Sequence, residues 1–188
     1  MKKACAAAAW AEARGFWTIV EERRFAASTR PGTGEPRLAL VGVDNLETRR
    51  AVAAAGFNLC VDGGLGATGA EAFDLRIHTF PGSITPERAW PEASPDNTEL
   101  KSRALRQLVK DGRLDSCGAM AIAGQPVGVP CTALATAAIQ IAQVCRALET
   151  GRCAELVDVS LSDIRYSKWQ AMREDVVRLP AGIDALAL

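Results

Sequence analysis

The sequence predicts one α/β domain, in which helices flank a mixed or parallel sheet. The run Leu38–Val43 is continuously apolar, which predicts a parallel strand that is central in the sheet and covered by helices on both faces. A helical pattern and a second apolar strand, Phe57–Val61, follow it directly, as in a β-α-β unit. A length of 188 residues suits a single domain with its own core, so we take residues 1–188 as one domain.

The composition argues against several classes of partner. Lysine and arginine number 22 and aspartate and glutamate also number 22, so no net charge attracts nucleic acid or an anionic membrane surface. No apolar run approaches the roughly 18 to 20 residues that span a bilayer. We therefore expect no nucleic-acid partner, no membrane partner and a cytoplasmic location.

Six cysteines raise the question of disulfides or zinc. None of them forms the C-x-x-C pair that is usual in a structural zinc site, so we expect no zinc and a reduced protein. Cys60, Cys131 and Cys145 lie in apolar strand or helix patterns, which predicts that they are small hydrophobic side chains of the core.

Local signals place the other elements. An alanine-rich helix is predicted from Lys2 to about Arg14, where Gly15 ends it, and the β-branched and aromatic run Phe16–Val20 predicts a strand. Proline and glycine predict mobile loops over residues 28–36 and 81–97. The remaining periodic patterns predict a strand over residues 73–79, helices Asn97–Lys110 and Thr132–Glu149, and a strand Leu156–Leu161.

A G-x-G-x-x-G sequence runs from Gly64 to Gly69. A phosphate-binding loop of this type needs a helix next, because the helix N-terminus supplies the amides and the dipole that hold phosphate. A strand pattern follows here instead. We interpret the segment as a glycine-rich turn between strands, with phosphate binding as the alternative.

Asp44 follows the first apolar strand, at the end of the sheet where open α/β sheets collect ligands. One role is the N-cap of the following helix, with Glu47 in the capping-box position. The other is a carboxylate on Mg²⁺, which prefers oxygen ligands. The only histidine, His78, lies in a strand pattern and is interpreted as a polar strand residue rather than a general base.

Two blocks of sequence together resemble the ThiF/ubiquitin-activating (E1-like) adenylyltransferase family. The first is the strand followed by Asp44-Asn45, three residues, Arg49, a helix and then the segment 59–64, Leu-Cys-Val-Asp-Gly-Gly. The second runs from Ser116 through Cys117 and a glycine-containing stretch to Pro130, before the long apolar helix. The resemblance implies a Rossmann-like sheet, ATP and magnesium as cofactors, and a ubiquitin-like or sulfur-carrier protein as partner.

The resemblance also implies roles for particular residues. Asp44 would contact magnesium through the nucleotide, and Asn45, Arg49 and Lys3 would bind the nucleotide, with Lys2 in place of Lys3 as an alternative. Cys117 matches the cysteine that takes up the acyl group or sulfur. A buried or incidental Cys117 remains an alternative to the catalytic one.

The chain departs from the family pattern where ATP is held. It resembles the C-terminal two-thirds of the family domain, without the first β-α unit and its glycine-rich loop, and without the family's zinc-binding cysteine pairs. Two functions stay open: an adenylyltransferase, or a non-catalytic relative that docks a partner protein. We expect the isolated chain to be inactive on ATP.

The absence of the family's first strand also bears on the oligomeric state. Removing the first strand leaves unpaired backbone groups at a sheet edge, and the helix Thr132–Glu149 is apolar around most of its circumference. We expect a homodimer, with a different partner chain as the alternative.

Overall fold

Five strands form the centre of the structure, a computed structural model that describes residues 2–66, 71–91, 103–113, 129–163 and 167–171. The strands are β1 (Leu38–Val41), β2 (Leu59–Leu65), β3 (Asp74–Phe80), β4 (Ala154–Ser160) and β5 (Ser167–Ala171). The helices are α1 (Lys3–Glu12), α2 (Leu46–Ala53), α3 (Pro86–Ala89), α4 (Arg103–Lys110) and α5 (Pro130–Thr150). The prediction of a mixed α/β domain is confirmed.

The sheet is mixed, and its strands lie in the order of the chain. β1 pairs with β2 in parallel, whereas β2, β3, β4 and β5 pair in antiparallel fashion. The sequence predicts a central position for the first apolar strand, and that prediction is wrong for the described residues. β1 lies at the edge of the sheet because it pairs with β2 alone among them.

α5 covers one face of the sheet. Val61, Ile77, Val144 and Val157 belong to the core between α5 and the strands. The sheet-facing side of α5 is largely polar, and Gln143 accepts a hydrogen bond from the backbone N–H of Ala154 at 2.7 Å. By length and composition α5 is apolar enough to cross a membrane, but its buried polar side chains bond to the sheet, so it is a core helix of this domain.

The opposite face of the sheet is covered by α2 and the short helix α3. Cys60 and Phe80 pack there against Val52 of α2 and Trp90 at the end of α3. Arg50 joins the two helices, since its Nε donates to the carbonyl of Trp90 at 2.7 Å. The two core clusters therefore lie on opposite faces of one sheet.

The N-terminal region packs differently from its prediction. α1 confirms the alanine-rich helix, yet none of its residues is buried. The predicted strand Phe16–Val20 is wrong, because this extended segment joins no ladder in the described part of the chain. Residues 28–36 contain no helix or strand, as expected of a loop, and the loop predicted over 81–97 contains α3. Residues 92–97 lie outside the described residues.

Two predictions about the long helix have opposite outcomes. The expected surplus of apolar surface is confirmed, because Leu134 and Ile141 are exposed on its outer side. The expectation that Cys131 and Cys145 belong to the core is wrong, since both thiols lie on the solvent side of α5. Only the inner stripe of a helix on a sheet is buried, whatever the apolar content of its other faces.

Candidate functional site

The turn after β1 presents the first predicted site residue. The N-cap of α2 is Asn45, whose Oδ1 accepts from the backbone N–H of Thr48 at 2.9 Å. The alternative role of Asp44 as the N-cap is therefore wrong. The side chain of Asp44 is exposed at the carboxyl end of β1, next to the capped helix.

Arg49 ties this turn to the next strand. Its Nε donates to the carbonyl of Val43 at 2.7 Å, and its Nη1 donates to Oδ2 of Asp62 at 2.6 Å. The Arg49 side chain is 12% exposed and that of Asp62 is 1% exposed. Arg49 thus points into the protein, where it fixes the backbone that carries Asp44.

Asp62 lies in an unusual setting for a carboxylate. Within the described part of the chain, its Oδ1 is buried and has no hydrogen-bond partner. Burial raises the pKa of Asp62 to about 6, against the opposing attraction of Arg49. The carboxylate therefore carries a charge that desolvation disfavours and one ion pair stabilises.

His78 is the register partner of Asp62 on the neighbouring strand. It is buried, its Nδ1 has no hydrogen-bond partner in the described residues, and its ring lies 5.5 Å from that of Trp90. Burial, reinforced by the charges of Arg76 and Arg49, lowers the pKa of His78 to about 4. A neutral imidazole beside a buried carboxylate fits its interpretation as a strand residue, although the strand is far more buried than its alternating pattern predicts.

The glycines of the predicted turn serve close approach. A Cβ on Gly63 would lie 2.6 Å from Cγ2 of Thr136, and one on Gly66 would lie 1.9 Å from the carbonyl oxygen of Glu71. Gly63, Gly64 and Gly66 have no positive φ, and Gly69 lies outside the described residues. β2 and β3 pair up to Leu65↔Leu75, which agrees with a turn between antiparallel strands rather than a strand-to-helix phosphate loop.

Gln140 of α5 holds the end of β1 and the middle of β2 from the other face. Its Nε2 donates to the carbonyls of Val41 and Val61, both at 2.9 Å. Val41 is the last residue of β1, just before the turn of Asp44, and Val61 lies within β2. The backbone near the carboxyl end of β1 is therefore fixed from both faces of the sheet.

Among the described residues, Lys3 and its alternative Lys2 do not join this turn. Lys3 is exposed at the start of α1, and Lys2 forms an ion pair with Glu22. Cys117 lies outside the described residues. The structure therefore brings Asp44, Asn45 and Arg49 together, and it does not bring Lys3 to them.

Two residues of this edge were missed by the sequence reasoning. Asp62 directly precedes Gly63-Gly64 after an apolar run, and a lone carboxylate in that position is the signal that could have found it. Gln140 is a polar side chain in an otherwise apolar helix, which indicates a buried hydrogen bond.

The turn after β1 presents one exposed carboxylate, that of Asp44, and carboxylate oxygen is the type of ligand that Mg²⁺ prefers. Among the described residues no group of three or more histidine, cysteine, aspartate or glutamate side chains is placed to hold a metal by itself.

Comparisons with known proteins define the class. The chain is 37% identical over 174 residues to the bacterial E1-like protein BilD of Collimonas sp. (strain OK412), an alignment that covers 90% of this chain. The chain is therefore similar in sequence to a protein described as E1-like. Residues 1–151 match the model of the BilD C-terminal domain, and the chain belongs to that family. It spans 38% of the length of the Collimonas protein.

Proposed function

We propose that this chain forms the carrier-binding and metal-facing part of an E1-like activating protein. In the proposed activation reaction, the C-terminal carboxylate of a ubiquitin-like or sulfur-carrier protein attacks the α-phosphate of ATP and releases pyrophosphate. The product is an acyl-adenylate. The observation that carries the proposal is the exposed Asp44 on a turn that Arg49 and Asn45 hold in place.

The described residues have separate tasks in this proposal. Asp44 would face the magnesium ion that accompanies the nucleotide, and that ion would supply positive charge to neutralise the phosphates. Arg49 acts on the turn rather than on a phosphate, because both bonded nitrogens are committed to Val43 and Asp62. Asn45 keeps α2 capped through Thr48. Cys117 is proposed as the thiol that takes the acyl group after adenylation.

The experiment is exchange of labelled pyrophosphate into ATP. The enzyme is a chimera in which this chain replaces the matching part of the Collimonas protein, and the carriers are a panel of bacterial ubiquitin-like and sulfur-carrier proteins. Asp44→Asn should lower exchange by about 100-fold, because it removes the charge that faces the metal. Glu47→Gln is the matched control, since it neutralises an exposed carboxylate one turn further along and should leave exchange within about twofold.

Equal exchange by the wild type and Asp44→Asn would refute the role of Asp44. A chimera that exchanges with no carrier in the panel would refute the adenylation reaction for this chain.

A second function is favoured by the inward orientation of Arg49. Arg49 is bonded to Asp62, and Lys3 lies in α1, away from this turn. Of the described residues predicted to bind nucleotide, Asp44 is therefore the exposed charged group at the carboxyl end of β1. This arrangement suits a non-catalytic subunit that docks a carrier protein without nucleotide. Binding of a carrier that is equally tight with and without Mg-ATP, in a calorimetric titration, would select this function over the first.

A further inference from the structure

Asp62 and His78 each carry a buried polar atom that has no hydrogen-bond partner in the described part of the chain. These atoms are Oδ1 of Asp62 and Nδ1 of His78. The two residues are register partners in the antiparallel ladder between β2 and β3. Register partners project from the same face of a sheet, with Cβ atoms about 4.5 to 5.5 Å apart, so the two side chains are direct neighbours.

The surroundings of the pair exclude solvent. Asp62 is 1% exposed and His78 is 6% exposed. The ring of Trp90 covers the imidazole, and Arg49 occupies the other carboxylate oxygen of Asp62, Oδ2. A buried polar atom without a partner costs free energy. The two atoms therefore need a hydrogen that one of them can donate to the other.

One proton satisfies both atoms. An ionised carboxylate only accepts hydrogen bonds, and a neutral imidazole accepts at the ring nitrogen that carries no hydrogen. A proton on Oδ1 makes Asp62 a donor, and Nδ1 of His78 is then its acceptor. Burial favours this neutral pair over a carboxylate beside an imidazolium. The directions of the pKa shifts agree, since burial raises the pKa of Asp62 to about 6 and lowers that of His78 to about 4.

The charged groups around the pair also keep the proton off His78. Two cations and two carboxylates act on the imidazole: Arg49 of α2, Arg76 of β3, and Asp158 and Glu155 of β4. The two arginines oppose a charge on His78 more strongly than the two carboxylates favour it. On β2, Cys60 stays a neutral thiol, because burial and the charge of Asp62 raise its pKa to about 12. α3 contributes the uncharged ring of Trp90.

We propose that Asp62 and His78 bind one proton as a unit, between Oδ1 and Nδ1, and that this proton weakens the hold of Asp62 on Arg49. The ionised carboxylate gives Arg49 a charged acceptor, whereas the protonated one gives it a neutral acceptor, and hydrogen bonds between charged groups are the stronger kind. Arg49 also holds the carbonyl of Val43. The proton therefore acts on the turn after β1 through Arg49. Asp62 and His78 are positioning residues of that turn, independently of the proposed function.

The test is a nuclear magnetic resonance titration of the purified chain, without nucleotide or carrier, through the pH range that contains both pKa values, from above 6 to below 4. The carboxyl carbon of Asp62 and Nδ1 of His78 should change together in the first step, and the imidazole should take up its own proton in a second step. The Nε–H of Arg49 should exchange with water about tenfold faster after the first step, once the intrinsic exchange rate is corrected for.

Three results overturn the proposal. One is a titration of Asp62 to which Nδ1 of His78 does not respond. Another is a hydrogen on Nδ1 at every pH, because the imidazole would then donate directly to the ionised carboxylate. The third is exchange at Arg49 that does not change across the first step.

Matched substitutions assign the proton to the pair. Asp62→Asn keeps the size of the side chain and removes the oxygen that binds the proton, so the first change at Nδ1 of His78 should disappear. Asp158→Asn makes the same substitution at a carboxylate of β4 that is paired with Arg76. In that control the joint change should remain, with its midpoint within about half a pH unit. Loss of the joint change in Asp158→Asn, or its persistence in Asp62→Asn, overturns the proposal.

Discussion

Arg49 and Asp62 form an ion pair of 2.6 Å between α2 and β2, in which both side chains are nearly inaccessible to solvent. The same guanidinium holds the carbonyl of Val43. A buried pair of this kind gains less from attraction than it loses in desolvation, but it is costly to break on one side only. Its structural effect is to connect the end of β1, the start of α2 and the middle of β2.

Removing one partner of the Arg49–Asp62 ion pair should therefore destabilise the fold. Arg49→Met should lower the free energy of unfolding by about 3 to 5 kcal/mol, because it leaves the Asp62 carboxylate buried without its cation. Urea unfolding followed by circular dichroism measures the loss. Arg23→Met is the control, since the Arg23–Glu21 pair is exposed and its removal should cost less than about 1 kcal/mol. Similar losses in the two variants would contradict a structural role for the buried pair.

The titrations of Asp62 and His78 should change the free energy of unfolding in opposite directions. The pKa of Asp62 is raised from 3.8 to about 6, so it contributes stability below pH 3.8 that is lost as the pH rises through 6. The pKa of His78 is lowered from 6.5 to about 4, so it contributes stability above pH 6.5 that is lost as the pH falls through 4. Each shift is worth about 3 kcal/mol, so the two contributions nearly cancel between pH 4 and 6.5.

Single substitutions at Asp62 and at His78 should separate the two pH dependences of the free energy of unfolding. Asp62→Asn should become more stable as the pH rises from 4 to 6.5, because only the histidine contribution remains. His78→Gln should become less stable over the same range. Thermal unfolding at half-unit pH steps measures both. Parallel pH profiles in the two variants would show that these groups do not titrate in opposite senses.

Close approach at Gly63 should make alanine destabilising. A Cβ there would lie 2.6 Å from Thr136 and 2.8 Å from Gln140, so Gly63→Ala must displace these two side chains of α5 and should cost about 1 to 3 kcal/mol. Gly42→Ala is the control, because nothing lies within 4 Å of a Cβ at that position. Urea midpoints of the two variants give the comparison, and an unchanged midpoint for Gly63→Ala would rule out tight packing between α5 and β2.

The isolated chain should bind Mg-ATP weakly. A single exposed carboxylate does not replace a cradle of backbone amides around the phosphates. Calorimetric titration should give little or no heat. A dissociation constant below about 10 μM, or roughly 7 kcal/mol of binding free energy, would be inconsistent with this expectation.

Cys117 should be the first thiol to react with iodoacetamide. Burial raises the pKa of Cys60 to about 12 and also raises that of Cys153, which makes both thiols poor nucleophiles. The exposed thiols of Cys131 and Cys145 are the internal competitors. Mass spectrometry after brief labelling ranks the six sites. Earlier modification of Cys131 or Cys145 than of Cys117 would remove the main support for a catalytic cysteine.

Local patterns in the sequence were sufficient for the α/β class, for most of the elements and for the turn that carries Asp44. The α5 prediction succeeded because a long run of mostly apolar and small residues that ends at a left-handed Gly151 leaves few alternatives. The prediction of a strand over Phe16–Val20 was wrong because a strand forms only when a neighbouring strand pairs with it. β propensity is a property of the segment and does not indicate whether such a neighbour is present.

The sequence by itself determined that Asp44, Asn45 and Arg49 follow one apolar strand at the start of one helix, since their spacing is a local property. The choice of Asn45 rather than Asp44 as the N-cap is also local, although the sequence pattern fits both residues. Only the tertiary structure decided that Arg49 turns inward to Asp62 and that β1 lies at an edge of the described sheet, because both depend on contacts between separate elements, as does the contact of Gln140 with Val41. Packing and desolvation select such contacts, and neither is visible in local periodicity.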